Sequence, residues 1–439
     1  MADLQTEIRN ELTQRIIPFW RGLRDEANGG FIGQVDFDLT RRPEADKGCI
    51  LNSRILWFFS EAYMLLKEEE LLDDARHAYA MLKRMTDEKN GGVYWALHAD
   101  GTVADGTKHT YNQAFAIYAL SAYYRAAGER DALERAKALF EIIETKCRDA
   151  GGYLEAFTAD WQPESNEKLS ENGVMATRTM NTLLHVMEGY TGLYQAWPDE
   201  SVKARLYEIL DIFENKIYNK EKRRQEVFFD HEYNTLIDLH SFGHDIETSW
   251  LAEKTLEALN DPALTARIRP LLLQMADHTY HAAFTDHGFA NECERGVVNQ
   301  KRIWWVQAEA LLGFLNAYEK TGEARYKNAV VTQWTYIRDH LIDKRPGSEW
   351  FWYLHEDGTP GSDEPIVEPW KCPYHNGRMC MEYLRRNPKY YSGGNRSLDN
   401  LIRPCGPPSP ARGRLRAVSP NSAASIGASP LHADVACFG

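Results

Sequence analysis

The sequence predicts an all-α protein, an (α/α)6 barrel of twelve helices in two concentric rings, with short β-hairpins or loops at one end. Three observations lead to this prediction. Turn signals in which glycine or asparagine meets aromatic residues recur along the chain, most of them about 60 residues apart. Two stretches with helical apolar spacing lie between successive signals. Polar residues suited to chemistry fall on the second stretch of each pair.

The turn signals mark the units of a loose internal repeat. They read NGGFIG (28–33), NGGVYW (90–95), GGYLEAF (151–157), VFFDHEYN (227–234), HGFANE (287–292) and SEWFWYLHEDG (348–358). Glycine and asparagine favour turns, and aromatic residues favour short strands. We therefore expect short strands or hairpins at these positions, capping one end of the fold.

Between the turn signals, apolar residues follow the i, i+3, i+4 spacing of amphipathic helices. The predicted helices cover residues 3–22, 50–67, 71–88, 109–127, 130–147, 173–194, 199–218, 244–259, 262–282, 302–320, 323–342 and 374–386. Helices of this length are marginal alone in water, so their apolar faces need partners. All six pairs are satisfied if the second members form an inner ring that the first members cover.

The composition indicates a globular protein of a reducing compartment. Hydrophobic residues make up 43% and charged residues 26% of the 439 residues. The apolar runs are interrupted before the roughly 20 residues that a membrane span requires, and the first residues, MADLQTEIRNEL, are too charged for a signal peptide. Seven scattered cysteines without CxxC spacing favour free thiols over disulfides. We therefore expect a cytoplasmic protein that does not bind membranes.

The charge distribution argues against nucleic acid as a partner. The formal net charge is −13, and a basic excess occurs only in the last forty or so residues. Neither a GxxxxGK[ST] motif nor a GxGxxG motif after a strand is present, so phosphate chemistry is not expected. Aromatic residues make up 12% of the chain. They point weakly to sugars, whose C–H faces pack on aromatic rings, and equally to an ordinary helical core.

The character of the chain changes near Ser392. The last stretch is rich in Pro, Gly, Ser, Ala and Arg and has no sustained period. We expect one catalytic domain over residues 1–391, followed by a disordered and possibly non-native tail over residues 392–439.

Ten polar and aromatic side chains converge if the second helices form the inner ring. They are Arg54 on the second helix, Tyr111 on the fourth, Asn181 and His185 on the sixth, His244, Glu247 and Trp250 on the eighth, Trp305 and Glu309 on the tenth, and His375 on the twelfth. Inner helices run in the same direction, so their N-terminal ends meet at one mouth. Spacings of three or four residues place several of these side chains on one helical face.

Four segments around these residues carry a resemblance to a known family. They read TMNTLLH (179–185), HSFGHDIETSW (240–250), KRIWWVQAEA (301–310) and PWKCPYHNGRMC (369–380). From about residue 5 to about residue 388 the chain closely resembles the cellobiose 2-epimerases of the N-acylglucosamine 2-epimerase superfamily. The resemblance implies an isomerase that interconverts the reducing-end glucose of β-1,4-linked disaccharides, such as cellobiose and lactose, with its C2 epimer mannose.

The resemblance also implies roles for individual residues. The general acid/base pair would be His244 and His375, while His185 and Arg54 would contact the reacting end of the sugar. Hydrogen bonds to the sugar would come from Tyr111, Asn181, Glu247 and Glu309, and stacking or wall contacts from Trp250, Trp305 and Trp370. The expected partner is a small disaccharide, and no metal or other cofactor is expected. We expect a monomer, with a homodimer as the alternative.

The chemistry of C2 epimerisation suits these residue types. The sugar ring opens, the proton beside the C1 aldehyde is removed, and the resulting cis-enediolate is reprotonated on its other face. Histidine exchanges protons near neutral pH, and a permanently cationic Arg54 or a hydrogen-bonding His185 can stabilise the enediolate. The sequence leaves open which of His244 and His375 removes the proton.

Several other readings remain open at this point. His240, His244 and Glu247 could hold zinc, and a pair from Glu247, Glu309 and Asp245 could serve an inverting glycosidase. An aldose–ketose isomerase, an N-acylglucosamine or other monosaccharide 2-epimerase and a sugar-binding protein without catalysis are further alternatives. We expect Cys372 and Cys380 to pack beside the site rather than to act as nucleophiles.

Overall fold

A computed structural model of the chain describes residues 2–386 except residue 171, and the predicted tail at 392–439 lies outside the described residues. Twelve helices are present within this part of the chain. They are α1 (residues 2–21, formed by Ala2–Asn10, a π-helical Glu11–Ile16 and Ile17–Arg21), α2 (Cys49–Leu66), α3 (Glu69–Arg84), α4 (Thr110–Ala127), α5 (Arg130–Lys146), α6 (Met180–Ala196), α7 (residues 200–217, formed by Glu200–Ile212 and a π-helical Phe213–Ile217), α8 (Phe242–Leu259), α9 (Pro262–Ala282), α10 (Trp304–Thr321), α11 (residues 324–341, formed by Ala324–Tyr336 and a π-helical Ile337–Leu341) and α12 (Tyr374–Arg386). A short 3-10 turn, Glu167–Leu169, precedes α6.

The even-numbered helices form the inner ring, and α12 returns to contact α2. Their composition explains this position. In α2 every residue from Cys49 to Ala62 is buried, so the helix is covered on all sides. In α3 the buried residues alternate with exposed charged residues, as expected for a helix with one face in water. The predicted (α/α)6 barrel is confirmed. No helix within residues 2–386 is long and apolar enough to cross a bilayer.

Eighteen short strands lie in the connections of the described residues. They are β1 (Lys47–Gly48), β2 (Ala96–Leu97), β3 (Val103–Asp105), β4 (Lys108–His109), β5 (Arg148–Asp149), β6 (Gly152–Tyr153), β7 (Ala156–Phe157), β8 (Arg178–Thr179), β9 (Tyr218–Asn219), β10 (Arg224–Gln225), β11 (Phe228–Phe229), β12 (Leu239–Ser241), β13 (Phe284–Thr285), β14 (Gly288–Phe289), β15 (Glu292–Glu294), β16 (Val297–Asn299), β17 (Arg302–Ile303) and β18 (Tyr353–Leu354).

The strands connect neighbouring repeats around the mouth of the barrel. Five inner helices begin directly after a strand, namely after β1, β4, β8, β12 and β17. Each of these strands pairs antiparallel with a strand of the following repeat, respectively β2, β7, β11, β15 and β18. Bridges between Val35 and Val367 join the first repeat to the last. The N-terminal ends of the inner helices are therefore held in a closed circle.

Buried ion pairs fix the start of two inner helices. The Nζ of Lys47 lies 2.7 Å from Asp25 Oδ2, and the Nζ of Lys108 lies 2.9 Å from Asp87 Oδ2. In both cases the lysine precedes an inner helix and the aspartate begins a glycine turn. Asp25 also accepts a hydrogen bond from the backbone N–H of Asn28. Such additional bonds are what allow a buried ion pair to offset its desolvation cost.

Glycine turns are held by glutamines of the inner ring. Gly92 has a φ of 80°, and a Cβ there would lie 2.9 Å from Gln113 Oε1. That oxygen accepts the N–H of Val93 at 2.7 Å, while Gln113 Nε2 donates to the Val93 carbonyl at 2.9 Å. Gln307 makes the same pair of bonds with Phe289. The repeated turn signals therefore reflect a backbone that glycine allows and an inner-helix amide stabilises.

The predicted start of α6 is wrong by seven residues. The helix was predicted over 173–194, whereas it begins at Met180. Thr179 has extended φ and ψ of −127° and 147°, and its hydroxyl oxygen accepts the N–H of Thr182. Residues 178–179 instead form a strand that pairs with β11. An N-cap threonine and a strand therefore replace the first predicted turns of this helix.

The hairpin of β15 and β16 was not predicted as a separate feature. Its turn contains Arg295 at a φ of 49° and Gly296 at a φ of 82°. Two consecutive positive φ values are typical of the tight turns that favour hairpins. Register places Glu292 opposite Ser241 of β12, immediately before α8.

Glu155 anchors the beginning of α6 and provides a testable pH effect. Its carboxylate accepts the N–H of Thr179 at 2.7 Å and the hydroxyl of Thr182 at 2.6 Å. Burial raises the pKa of Glu155 to about 7, against an ordinary value of 4.5. The folded protein therefore holds this proton more tightly than the unfolded chain, and the associated stability is lost as pH rises from about 4.5 to 7.

We expect Glu155→Gln to remove this dependence. Relative to the variant, the wild type should lose up to about 3 kcal/mol of unfolding free energy between pH 4.5 and pH 7.5. Denaturant unfolding of both proteins at a series of pH values measures the difference. Parallel stability curves for the two proteins would show that Glu155 does not titrate in this range.

Candidate active site

The first turns of the inner helices form two layers at the mouth of the barrel. A helix rises about 1.5 Å per residue, so a side chain three or four residues further along lies about 5–6 Å deeper on the same face. Asn181, His244, Trp305 and His375 lie in the first turn of their helices. The corresponding deeper positions are those of His185, Glu247, Glu309 and Arg378.

His244 and His375 meet at the ring of Trp305. The centroids of His244 and Trp305 are 4.8 Å apart, and those of Trp305 and His375 are 5.5 Å apart. His244 and Trp305 remain partly exposed, whereas His375 is 5% exposed. His244 Nδ1 lies 2.7 Å from the Ser241 hydroxyl oxygen. Two histidines that are far apart in the sequence therefore belong to one site.

The buried carboxyl group of Glu309 contacts His375 from the deeper layer of the site. His375 Nδ1 lies 2.8 Å from Glu309 Oε1. The same oxygen accepts a hydrogen bond from Arg378 Nη2 at 2.7 Å, and Glu309 Oε2 accepts one from the indole N–H of Trp250 at 2.8 Å. Arg378 Nη2 also donates to Glu247 Oε1 at 2.6 Å. The ring orientation of His375 is thus fixed by contacts that leave the other ring nitrogen for chemistry.

His185 is held in the same manner by a different carboxylate. Its Nδ1 lies 2.9 Å from Glu188 Oε2. Glu188 Oε1 accepts a hydrogen bond from Arg378 Nη1 at 2.5 Å, and the hydroxyl of Tyr374 donates to Glu188 Oε2. The ring of His185 also contacts that of Tyr111, with centroids 5.0 Å apart. The guanidinium of Arg378 therefore joins the carboxylates that orient His185 and His375.

Arg54 completes the site from α2. Its Nη2 donates to the Tyr111 hydroxyl at 2.8 Å, and its Nη1 donates to the Trp370 carbonyl at 3.1 Å. The guanidinium lies over the ring of Phe115 at 4.2 Å from the centroid. Within the described residues, no carboxylate forms an ion pair with Arg54. Its positive charge is therefore available to an anionic group in the site.

All three imidazoles are neutral at pH 7. Burial lowers the pKa of His244 to about 3, and the neighbouring His185 lowers it further. Burial, together with the charges of Arg378 and Arg54, holds the pKa of His375 well below its ordinary value. Burial also lowers the pKa of His185, although Glu188 acts in the opposite direction. Each imidazole can therefore accept a proton at neutral pH.

The three carboxyl groups around Arg378 have divergent pKa values. Burial acts to raise the pKa of Glu188, but the charge of Arg378 and the bond to His185 outweigh it and lower the value to about 2. Burial and the nearby Glu309 raise the pKa of Glu247 to about 8. Burial likewise raises the pKa of Glu309. A set of buried acids that share one cation therefore holds a proton at neutral pH.

The predicted sugar contacts of Glu247, Glu309 and Trp250 stay predictions, and the structure shows where these side chains lie. Glu247 and Glu309 are 0% exposed and Trp250 is 1% exposed. Their polar atoms face Arg378, His375 and one another. These side chains lie behind His375 because they occupy the second and third turns of their helices. Asn181, Trp305 and Trp370 are partly exposed, and their predicted contacts with a sugar remain predictions.

Three polar residues that help to hold the histidines, other than Glu309, were not predicted from the sequence. Each follows or precedes its histidine by three residues, the spacing of neighbours on one helical face. The pairs are His375 with Arg378, His185 with Glu188, and His244 with Ser241. A search for polar residues at this spacing from each histidine would have found all three.

The zinc site considered from the sequence does not form. His240 Nε2 lies 2.8 Å from Asp245 Oδ2, while His244 Nδ1 lies beside Ser241. Glu247, Glu309 and His375 do approach one another, with candidate ligand atoms within 4.8 Å. The facing oxygens of both glutamates already accept bonds from Arg378, which supplies the positive charge at that position.

An inverting glycosidase does not fit these carboxylates either. That chemistry needs two carboxyl groups about 6.5–9.5 Å apart, with room for water and a sugar between them. Oxygens of Glu247 and Glu309 lie within 4.8 Å of each other and share a buried guanidinium. Asp245 instead binds His240 and the backbone N–H of Gln225.

Cys372 packs against the site, with its Sγ 3.9 Å from Arg54 Nη1, whereas the charged neighbours of Cys380 are Glu11 and Glu349. Both are buried, at 1% and 0% exposure. Burial raises the pKa of each thiol. Neither is therefore suited to act as a thiolate nucleophile at neutral pH.

Comparison with known proteins agrees with the fold. Residues 30–377 match the family described as N-acylglucosamine 2-epimerase (GlcNAc 2-epimerase). A cellobiose 2-epimerase of Eubacterium cellulosolvens is 50% identical over 395 residues, which cover 86% of this chain and 97% of that protein. The crystal structure of a sugar epimerase from a ruminal bacterium superposes with a TM-score of 0.86 at 46% identity, covering 87% of this chain and 98% of that chain.

The cellobiose 2-epimerase from Bacillus thermoamylovorans B4167 has a similar structure, with a TM-score of 0.85 at 43% identity and coverage of 88% and 100% of the two chains. The barrel and these relatives define the class of this protein as a carbohydrate epimerase, an isomerase. More narrowly, the chain belongs to the N-acylglucosamine 2-epimerase family. The resemblance drawn from the four sequence segments is thereby confirmed.

Proposed function

We propose that this enzyme epimerises C2 of the reducing-end glucose of β-1,4-linked disaccharides such as cellobiose and lactose. Cellobiose gives glucosyl-mannose, and lactose gives epilactose. The observation that carries the proposal is the placement of His244 and His375 on the same Trp305 ring, both neutral. Relatives named cellobiose 2-epimerase at 43–50% identity support the disaccharide as substrate.

His244 and His375 transfer the protons at C2. After ring opening, the free imidazole nitrogen of one histidine takes the C2 proton, which the C1 aldehyde makes acidic. The electron pair of the C–H bond moves into a cis-enediolate. The other histidine then gives a proton to C2 on the opposite face, which inverts the configuration. Positioned acid/base groups of this kind typically contribute about 100- to 10,000-fold in rate.

Arg54 and His185 stabilise the enediolate. Negative charge develops on O1 and O2 once the C2 proton is gone. Arg54 carries a permanent positive charge and makes no buried ion pair of its own in the described residues. His185 gives its Nδ1–H to the ionised Glu188, so its neutral ring offers Nε2 as an acceptor that can take up the hydroxyl proton of O2 and thereby spread the charge. Donors set in place before the reaction stabilise such charge without reorganisation.

Binding of the sugar falls to residues that keep part of their surface exposed. Trp305 and Trp370 present aromatic faces for sugar C–H groups, and Asn181 offers hydrogen bonds. Tyr111 is only 3% exposed, and its hydroxyl beside Arg54 is a further group that could bond to the sugar. The Asn181 Oδ1 has no hydrogen-bond partner within the described residues. Glu247, Glu309 and Trp250 act on the reaction through His375, which they hold in place.

Product analysis tests this proposal. The enzyme is incubated separately with cellobiose, lactose, N-acetylglucosamine and mannose, and the products are identified by NMR. We expect the C2 epimers of the two disaccharides, at rates well above any change in the monosaccharides. A ketose as main product would mean reprotonation at C1, a preference for N-acetylglucosamine would move the substrate to a monosaccharide, and release of glucose from cellobiose would mean hydrolysis. Each of these results would contradict the proposal.

A further inference from the structure

The two histidines at C2 differ in what lies behind them. His244 Nδ1 faces a hydroxyl group, that of Ser241, whereas His375 Nδ1 faces a carboxyl group, that of Glu309. Each turnover adds one proton to one histidine and removes one from the other. A neutral histidine that gives a proton from Nε2 becomes an anion unless Nδ1 receives a proton at the same time. The donor therefore needs a proton source behind it.

A buried acid pair lies in the required place behind His375. His375 Nδ1 is 2.8 Å from Glu309 Oε1 and 3.9 Å from Glu247 Oε1. Glu247 Oε2 has no hydrogen-bond partner in the part of the chain that the structure describes. Both glutamates are fully buried, so the proton cannot be exchanged directly with water.

Charge balance requires that this pair hold a proton. Three buried carboxyl groups surround the single guanidinium of Arg378, namely those of Glu188, Glu247 and Glu309. Two uncompensated negative charges at this depth would be very costly. Glu188 stays ionised because Arg378 and His185 lower its pKa to about 2. The proton therefore resides on Glu247 or Glu309, whose pKa values burial raises.

Other charged and titratable groups face the pair from every neighbouring inner helix. They are Tyr111 on α4, Glu188 on α6, His244 on α8, and Tyr374, His375 and Arg378 on α12, while Arg54 on α2 and His185 on α6 act on His375 itself. Among them only the two buried arginines carry fixed positive charge. The histidines are neutral, and burial raises the pKa of Tyr374 well above its ordinary value. Within this set, the glutamate pair is the acid that faces His375 Nδ1 and can hold or release a proton there.

We propose that the Glu247–Glu309 pair stores the proton that His375 gives to C2, a role that rests on the proposed epimerisation. When His375 donates, its Nε2–H bond breaks as the C2–H bond forms. At the same time the O–H bond of Glu309 breaks and an Nδ1–H bond forms, so the pair gains one negative charge. In the reverse direction, Nε2 takes the C2 proton and Nδ1–H returns its proton to Glu309. His375 remains a neutral imidazole throughout.

The proton cycle closes through the exposed side of the site. The proton that leaves C2 in the other half of the reaction is taken up by His244, which becomes positively charged as the pair becomes negatively charged. His244 is partly exposed, so it can pass its proton to water at the mouth. Reprotonation of His375 from that water resets the pair before the next turnover.

Conservative variants of Glu309 separate proton storage from a merely structural role. In Glu309→Gln the amide NH2 can donate to His375 Nδ1 and the amide oxygen can accept the Trp250 indole N–H, while the bond from Arg378 is lost and an amide cannot release a proton at neutral pH. Glu309→Asp keeps a titratable carboxyl group at a shorter reach. If Glu309 only orients His375, the glutamine variant should be at least as active as the aspartate variant. Proton storage requires the opposite order.

We expect epimerisation by Glu309→Gln to fall by about 100-fold or more, with Glu309→Asp clearly more active. Glu247→Gln should also lose about 100-fold, because the pair then no longer exchanges its proton. Disaccharide affinity, measured by calorimetry, should stay near the wild-type value in all three. Glu257→Gln, on the exposed part of α8, is the matched control and should keep full activity. Circular dichroism confirms that each variant is folded.

The outcome distinguishes this inference from the proposed function. If the wild type forms the C2 epimer but Glu309→Gln matches or exceeds Glu309→Asp, proton storage is wrong and epimerisation stands. The same conclusion follows if either glutamine variant retains more than about a tenth of the wild-type rate. If the wild type forms no C2 epimer from any of the sugars, the proposed function itself is wrong.

Discussion

Replacing His375 by alanine should lower the rate of C2 epimerisation at least about 1,000-fold and leave the barrel folded. In the proposed reaction the imidazole is one of the two groups that exchange a proton with C2, and it lies between Glu309 and Trp305. His244→Ala should have a similar effect, since loss of either histidine leaves one face of the enediolate without an acid or base. Initial rates with cellobiose measure both variants.

The control for these variants is His98→Ala, which removes an exposed imidazole paired with Asp46 on the surface. It should keep wild-type activity. Thermal unfolding of all three proteins should show a cooperative transition, because neither site histidine fills a large core volume. Residual activity above about a tenth of wild type in His244→Ala or His375→Ala would contradict the assignment of the acid/base pair.

Replacing Arg378 by methionine should lower the free energy of unfolding by about 3–5 kcal/mol. The guanidinium is 1% exposed and binds Glu188, Glu247 and Glu309. Without it, these carboxyl groups remain buried with no cation, which is among the most destabilising changes that a single substitution can make. The rate of epimerisation should fall as well, because the carboxylates that orient His185 and His375 lose their common partner. Denaturant unfolding measures the stability.

Arg325→Met provides the comparison for Arg378→Met. Arg325 pairs with Asp277 and Glu323 on the outer ring, where both partners are partly exposed. Loss of such a pair should cost no more than about 1 kcal/mol. Equal stability of the two methionine variants would show that the buried network is not held together by Arg378.

The helical framework could be predicted from the sequence because the inner helices are apolar on nearly every side. Such stretches as residues 49–62 have a pattern that strands and loops do not share. The start of α6 could not be predicted in the same way. The residues before Met180 suit a helix locally, but they pair with β11, which lies about 50 residues further along the chain. Tertiary pairing overrode local preference there.

The upper layer of the site was predictable, whereas for the lower layer His185, Glu247 and Glu309 were predicted but neither their contacts nor Arg378 was. Histidines near the start of inner helices stand out because the surrounding positions are apolar. The role of Glu309 depends instead on its depth in the barrel, where it meets Arg378, 69 residues away. Arg378 also reaches Glu188 across 190 positions and Glu247 across 131. Contacts between residues so far apart in the sequence form because the barrel closes on itself. The apolar periodicity of a single helix does not predict them.

The fate of the hydrogen at C2 tests the central claim most directly. The enzyme is incubated with cellobiose in D2O, and the glucosyl-mannose product is examined by NMR and mass spectrometry. Exchange of protons through His244 and His375 predicts one deuterium at C2 of the product. A product that keeps its original hydrogen at C2 would contradict the account, because the hydrogen would then have moved without passing through two exchangeable imidazoles.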